Sequence, residues 1–182
     1  MKPKAIDSAV FVLGDYRPVA SEHNEQSTFF DWLLRDVSRN YPEVHPLFFA
    51  VPNGAHLAGD KSQRARAMAF LKEEGFTPGV ADTLFLSGRG GFLGLALEFK
   101  KTTEKANRDG GLREGQREFL HAARLEGYQA AVAYGFEEAE KIVTNYLNMP
   151  KTQDMVWQAL KAAERGDLEA CKNALKQITL SW

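Results

Sequence analysis

The chain has 182 residues, 44% of them hydrophobic and 26% charged, with a net charge of −1 and one cysteine. That length supports a domain with a full apolar core, and the lone Cys171 excludes an internal disulfide and fits a reducing compartment. Near-neutral charge argues against a globally basic DNA-coating protein, so affinity for nucleic acid must come from local patches.

Residues 1–20 read as an N-terminal arm, with Pro3 and Pro18 limiting helix. The apolar run Ala9–Leu13 stops at Gly14-Asp15, too short for a membrane span and without a signal-peptide cleavage pattern, so a cytoplasmic protein without membrane contact is expected. Ser21 reads as an N-cap, with Glu22 and Glu25 in the first turn of an amphipathic helix running to about Arg39. Tyr41-Pro42 breaks it, Leu47–Val51 reads as a buried strand, and Pro52-Asn53-Gly54 as a turn. A second helix is expected over Ser62–Glu74, packing through Ala65, Ala69, Phe70 and Leu71 and stopped by Gly75. Ala81–Leu86 and Leu93–Lys100 read as the arms of a hairpin around Gly88-Arg89-Gly90-Gly91, and the polar, glycine-ended stretch Thr102–Gly111 as a mobile loop. Leu112–Glu126 is a helix, Ala130–Tyr134 a strand and Phe136–Leu147 a helix. Two short helices over 152–180 follow, anchored by Trp157, Leu160, Leu168, Leu175 and Ile178. The order predicts an α/β fold, a central sheet flanked by helices, with a C-terminal helical extension.

The hairpin carries the chemistry. If its turn is symmetric, paired residue numbers sum to roughly 180, which sets Asp82 opposite Glu98. Like charges facing each other in a sheet are destabilising. A divalent cation bridging them is the natural compensation, since magnesium and manganese take one or two carboxylates plus waters. The Phe99 carbonyl offers a third oxygen, and Lys100 shares the Glu98 face, where its ammonium can orient water or offset phosphate charge. Most Glu-x-Lys pairs are solvated strand faces. Here Leu84, Phe85, Leu86, Leu93, Leu95, Ala96, Leu97 and Phe99 make the hairpin apolar on both faces, so it is expected to be central, where charge needs a reason. His23, His45 and His121 have no zinc-ligand spacing, and neither a P-loop nor a Gly-x-Ser-x-Gly elbow is present.

The ordered set Pro52-Asn53-Gly54, Gly79-Val80-Ala81-Asp82, Glu98-Phe99-Lys100 and Gln116 resembles the VRR-NUC family, a branch of the PD-(D/E)xK metal-dependent nucleases. Glu25-Gln26 at the head of the first helix resembles the family's opening, and Gly127-Tyr128 with Phe136-Glu137-Glu138-Ala139 its closing pattern. The resemblance covers about residues 22–147. It implies a restriction-endonuclease-like core with a mixed sheet and a nuclease domain over 21–149, leaving 150–182 as the helical extension. It implies Asp82 and Glu98 as metal ligands, Lys100 as the catalytic lysine, Gln116 as a supporting residue and Glu25 as an additional acid. The implied activity is Mg²⁺- or Mn²⁺-dependent DNA cleavage. Small stand-alone members, often of phage or bacteria, resemble dimeric enzymes that resolve branched or Holliday-junction DNA, so a bacterial cell or phage-infected host is the expected setting. Ala55 stands where the family often has a second glycine, and Glu114-Gly115 where it has serine-proline.

Asn53, His56, Lys61, Arg64, Lys101 and Arg113 are the expected contacts to DNA phosphates. Against the nuclease stand a non-catalytic nucleic-acid-binding module retaining the fold and a small-molecule phosphatase. The intact Asp82, Glu98 and Lys100 set opposes the first, and the basic loop and helix oppose the second.

Overall fold

A computed structural model describes residues 21–52 and 60–179. The expectations for residues 1–20, Asn53 and His56 lie outside it. Four strands, β1 (Phe48–Ala50), β2 (Thr83–Phe85), β3 (Leu95–Lys100) and β4 (Gln129–Tyr134), form one sheet in the order β1-β2-β3-β4. The first three are antiparallel and β3–β4 is parallel, so the sheet is mixed. The hairpin register is Thr83↔Leu97, Leu84↔Ala96 and Phe85↔Leu95. Each pair of residue numbers adds up to 180, and the next step brings Asp82 beside Glu98. The parallel pair is joined by helix α4 (Glu114–Leu125), the crossover that parallel strands require.

All six β3 residues are buried, and their alternation divides the molecule. Leu95, Leu97 and Phe99 point into the larger core, against Phe29 and Leu33 from the first helix, Phe48 and Phe85 from the sheet, and Val143 and Tyr146 of α5 (Phe136–Leu147). Phe29 packs edge-on to Phe99 at 5.2 Å, and Phe48 stacks on Phe85 at 5.0 Å. Ala96 packs with Leu120 of α4, Ala81 and Ala130 in a second, smaller cluster. Strand alternation therefore sends Glu98 and Lys100 to the thinner α4 side.

The first helix starts where expected. Ser21 caps α1 (Glu22–Trp32) by accepting the Asn24 N–H bond at 3.2 Å, and a π-helical segment Leu33–Val37 continues it. A short α2 (Val44–Leu47) precedes β1. Helix α3 (Lys61–Glu73) forms behind a reciprocal cap between Asp60 and Gln63, but its expected packing is not found. Ala65, Ala69 and Phe70 are exposed, Phe70 at 60%, and no α3 residue is buried. Charged residues surround the helix, so Ala65, Ala69 and Phe70 form no continuous apolar stripe.

The tail corrects a second expectation. Helices α6 (Thr152–Glu164) and α7 (Leu168–Thr179) pack as a hairpin, but Trp157, Leu160, Leu168 and Leu175 are about half exposed or more, and the buried α6 residues are Met155, Ala159 and Ala162. These three lie on one helix face, and the two alanines are small enough to permit a close approach that larger side chains would block. The tail is fastened to the β2–β3 turn. The Thr152 hydroxyl donates to the Phe92 carbonyl at 2.9 Å and accepts the Gly91 N–H bond at 3.2 Å. The stretch expected as a mobile loop contains a 3-10 turn, Thr102–Ala106, and is tied to β4 and α5. Among the described residues no helix is long and apolar enough to cross a membrane.

Candidate active site

Asp82 enters the site from a tight backbone approach. Gly79 has φ +92°, and a Cβ there would lie 2.6 Å from the Gly115 carbonyl carbon at the start of α4. Only glycine brings these two backbones together without strain. Because the β2 ladder begins at Thr83, the Phe99 N–H has no β2 partner, and the Asp82 carboxylate takes it at 2.9 Å. In return the Asp82 N–H donates to Glu98 Oε2 at 3.3 Å. These bonds hold the two acids side by side.

Glu98 is 0% exposed. Its Oε1 accepts from Lys100 Nζ at 2.7 Å and from the Gln116 side-chain amide. Lys100 Nζ also donates to the Phe99 carbonyl at 3.1 Å, and lies 3.9 Å from Glu22 Oε1. Gln116 is fixed from behind, its Oε1 accepting the Arg113 N–H bond at 3.0 Å. Burial first, and the nearby Asp82 charge second, push the Glu98 carboxyl up to about 7, although Lys100 pulls the other way.

A cavity of about 600 Å³ opens over these groups, with Glu22, Asp82, Glu98, Lys100, Lys101, Glu104, Arg113 and Gln116 in its wall. The structure thus brings together Asp82, Glu98, Lys100 and Gln116, with exposed Lys101 and Arg113 beside them. Glu25 is not in the cavity wall. Its Oε2 accepts the Phe136 N–H bond at 2.7 Å, closing the start of α5, and Glu22 is the α1 acid that lines the cavity. Lys61 and Arg64 sit exposed on α3 and do not line it. Sequence reasoning also missed Glu104, which lines the cavity with an Oε2 that is buried and has no hydrogen-bond partner among the described residues. Nothing in the spacing marks Glu104, whereas Glu22 stands in the same first turn as Glu25.

Among the described residues no three His, Cys, Asp or Glu side chains form a metal-binding group. Magnesium and manganese do not need one, since one or two carboxylates suffice when water and substrate oxygens complete the octahedron. Asp82 and Glu98 fit that demand. They are two hard oxygen donors held together against their own repulsion, one fully buried with its ionisation opposed. A cation there would relieve both penalties.

No family model matches the chain, and no curated protein matches it. A solved structure described as a VRR_NUC domain protein superposes with a TM-score of 0.56 at 21% sequence identity, covering 72% of this chain and 92% of that one. At that identity the likeness establishes a shared fold, the α/β core with its mixed sheet and flanking helices.

Proposed function

We propose that this protein is a Mg²⁺- or Mn²⁺-dependent DNA endonuclease. The observation that carries this reading is the Asp82–Glu98 pair, locked by reciprocal backbone bonds with Lys100 Nζ at 2.7 Å from Glu98, on one wall of a cavity. Asp82 and Glu98 would hold the cation, with the Phe99 carbonyl as a further oxygen. When bound, the cation lowers the pKa of a coordinated water and offsets charge on the phosphoryl oxygen. Lys100 orients the attacking water and stabilises the negative charge that grows on phosphorus-bound oxygens. Gln116 keeps Glu98 oriented through its bridge to the Arg113 N–H. Glu22 serves as the additional acid, because Glu25 is engaged at the start of α5. Lys101 and Arg113 at the cavity, with Lys61 and Arg64 on α3, supply contacts to the substrate backbone.

The VRR_NUC fold likeness supports a nucleic-acid substrate, and the resemblance in sequence supports branched DNA cut inside a bacterial cell or phage-infected host. Two symmetric cuts in a junction need two sites, so a homodimer belongs to the same proposal. Outward-facing Val156, Trp157 and Leu160 give the tail an apolar surface for it.

An Asp82→Ala variant is expected to lose cleavage while still binding labelled DNA, because it removes a cation ligand and no basic contact. Gel-shift and cleavage assays on the same preparation read both. Retained cleavage would refute the site, and loss of both activities with normal folding would move Asp82 from catalysis to binding.

A further inference from the structure

Tyr134 is absent from the catalytic set, yet it ties down one wall of the cavity. It pairs with Lys100 in the β3–β4 register, so it sits beside the candidate lysine on the neighbouring strand. Its hydroxyl donates to the Gly110 carbonyl at 3.0 Å. Gly110 has φ +62°, and any side chain there would run into that hydroxyl. Lys105 Nζ lies 5.6 Å from the centre of the Tyr134 ring and bonds Glu138 Oε1 at 3.0 Å. Glu138 Oε2 in turn accepts the Tyr134 N–H bond at 2.9 Å. The next residue along, Gly111, closes over Glu104, where a Cβ would lie 2.8 Å from Oε2. One tyrosine and one glutamate therefore fasten residues 101–111 to the β4–α5 corner, and this segment supplies Lys101, Glu104 and Gly111 to the cavity.

We infer that residues 101–111 form a preformed wall that receives the nucleic-acid backbone, latched by Tyr134 as a positioning residue. The inference rests on the nuclease reading for its substrate. The segment carries exposed Lys101 and Arg108, and exposed Arg113 follows it, while Lys105 is spent on the latch. A wall already ordered binds without the entropic cost of ordering a flexible loop. Opening the latch should therefore weaken substrate binding and leave the chemical step alone, since the Tyr134 hydroxyl bonds the Gly110 carbonyl and not the side chain of Asp82, Glu98, Lys100 or Gln116.

Tyr134→Phe keeps the ring and removes only the hydroxyl. The full-length variant is expected to melt as wild type, to be cut faster by trypsin after Lys101, Lys105 or Arg108, and to show a KM for labelled branched DNA raised roughly threefold to tenfold with kcat unchanged, the scale of one lost hydrogen bond. Gly110→Ala, which opens the same contact from the loop side, should reproduce the pattern. Unchanged trypsin sensitivity in both variants would overturn the latch. Faster trypsin cutting with unchanged KM would overturn the wall's role in binding, and so would a fall in kcat at constant KM. If the wild-type protein cuts no nucleic acid, the nuclease reading fails and takes the substrate role with it, while the trypsin comparison still decides the latch.

Discussion

Glu98→Gln is expected to lower the cleavage rate by roughly 10³-fold or more, and to make the chelator-treated protein more stable at pH 8. The two effects have one origin. Glu98 is fully buried beside Asp82, and its carboxyl is pushed from the ordinary 4.5 up to about 7. Below about pH 4.5 the group is protonated in folded and unfolded chains alike, and stability is complete. Between about pH 4.5 and 7 the unfolded chain releases this proton while the folded chain keeps it, so stability falls by on the order of 3 kcal/mol and levels off once the buried carboxyl ionises above 7. Glutamine has the same shape and carries no charge, so the variant should escape that loss, with a melting temperature about 6 to 12 °C higher at pH 8 in chelator. Added Mg²⁺ should stabilise the wild-type protein and leave the variant unmoved. Melting curves from pH 5 to pH 8, with and without Mg²⁺, read this directly. A wild-type stability that does not fall over that range would contradict the assignment of Glu98 as a strained, cation-seeking carboxylate. The same titration predicts that cleavage declines as pH drops below 7, where protonated Glu98 no longer holds a cation well.

Arg89→Ala is expected to cost about 3–5 kcal/mol, the scale for breaking a buried ion pair by removing one partner. Arg89 is buried in the β2–β3 turn. Its Nη1 donates to the Leu147 carbonyl at 2.8 Å and the Met149 carbonyl at 3.1 Å, closing the end of α5, where helical carbonyls lack intrahelical donors. Its Nη2 bonds Glu43 Oε1 at 2.6 Å, and its guanidinium lies 5.2 Å from the Tyr41 ring centre. The truncation takes this donor from the Leu147 and Met149 carbonyls, leaves Glu43 paired with Lys151 Nζ at 3.3 Å alone, and loosens the turn that holds Thr152 and the tail. Urea unfolding measures the loss. Arg89→Lys should recover little, because one ammonium cannot copy a planar fork that reaches three acceptors. A loss under about 1 kcal/mol would show the clamp to be incidental.

The hairpin was the most legible part of the chain, because two apolar arms around a glycine-rich turn allow one symmetric register, and that register sets Asp82 beside Glu98. Helix α5 was equally clear, since its apolar stripe is strong and Gly135 marks its start. Phe70 sits on a helix without an apolar stripe, and Trp157 lies off the Met155, Ala159 and Ala162 face of its own helix. Phe70 and Trp157 look like core residues by type, but burial depends on what faces them, and neither helix offers a partner to that side. Glu22 and Glu25 share one helical turn, and the choice between them was made by the Phe136 N–H, more than a hundred residues away in the chain. The segment 102–111 looked like a mobile loop because its own sequence is polar, and its order comes from Tyr134 and Glu138 elsewhere.

Metal-dependent cleavage is the claim on which the rest depends. Labelled linear duplex, single-stranded, flap and four-way-junction DNA should be incubated with the protein in Mg²⁺, Mn²⁺ or EDTA. Symmetric cuts in the junction that need Mg²⁺ or Mn²⁺ and vanish in EDTA are the expected result. Binding to these DNAs without cutting under any metal would contradict it, and would make the protein a nucleic-acid-binding module that retains a nuclease fold.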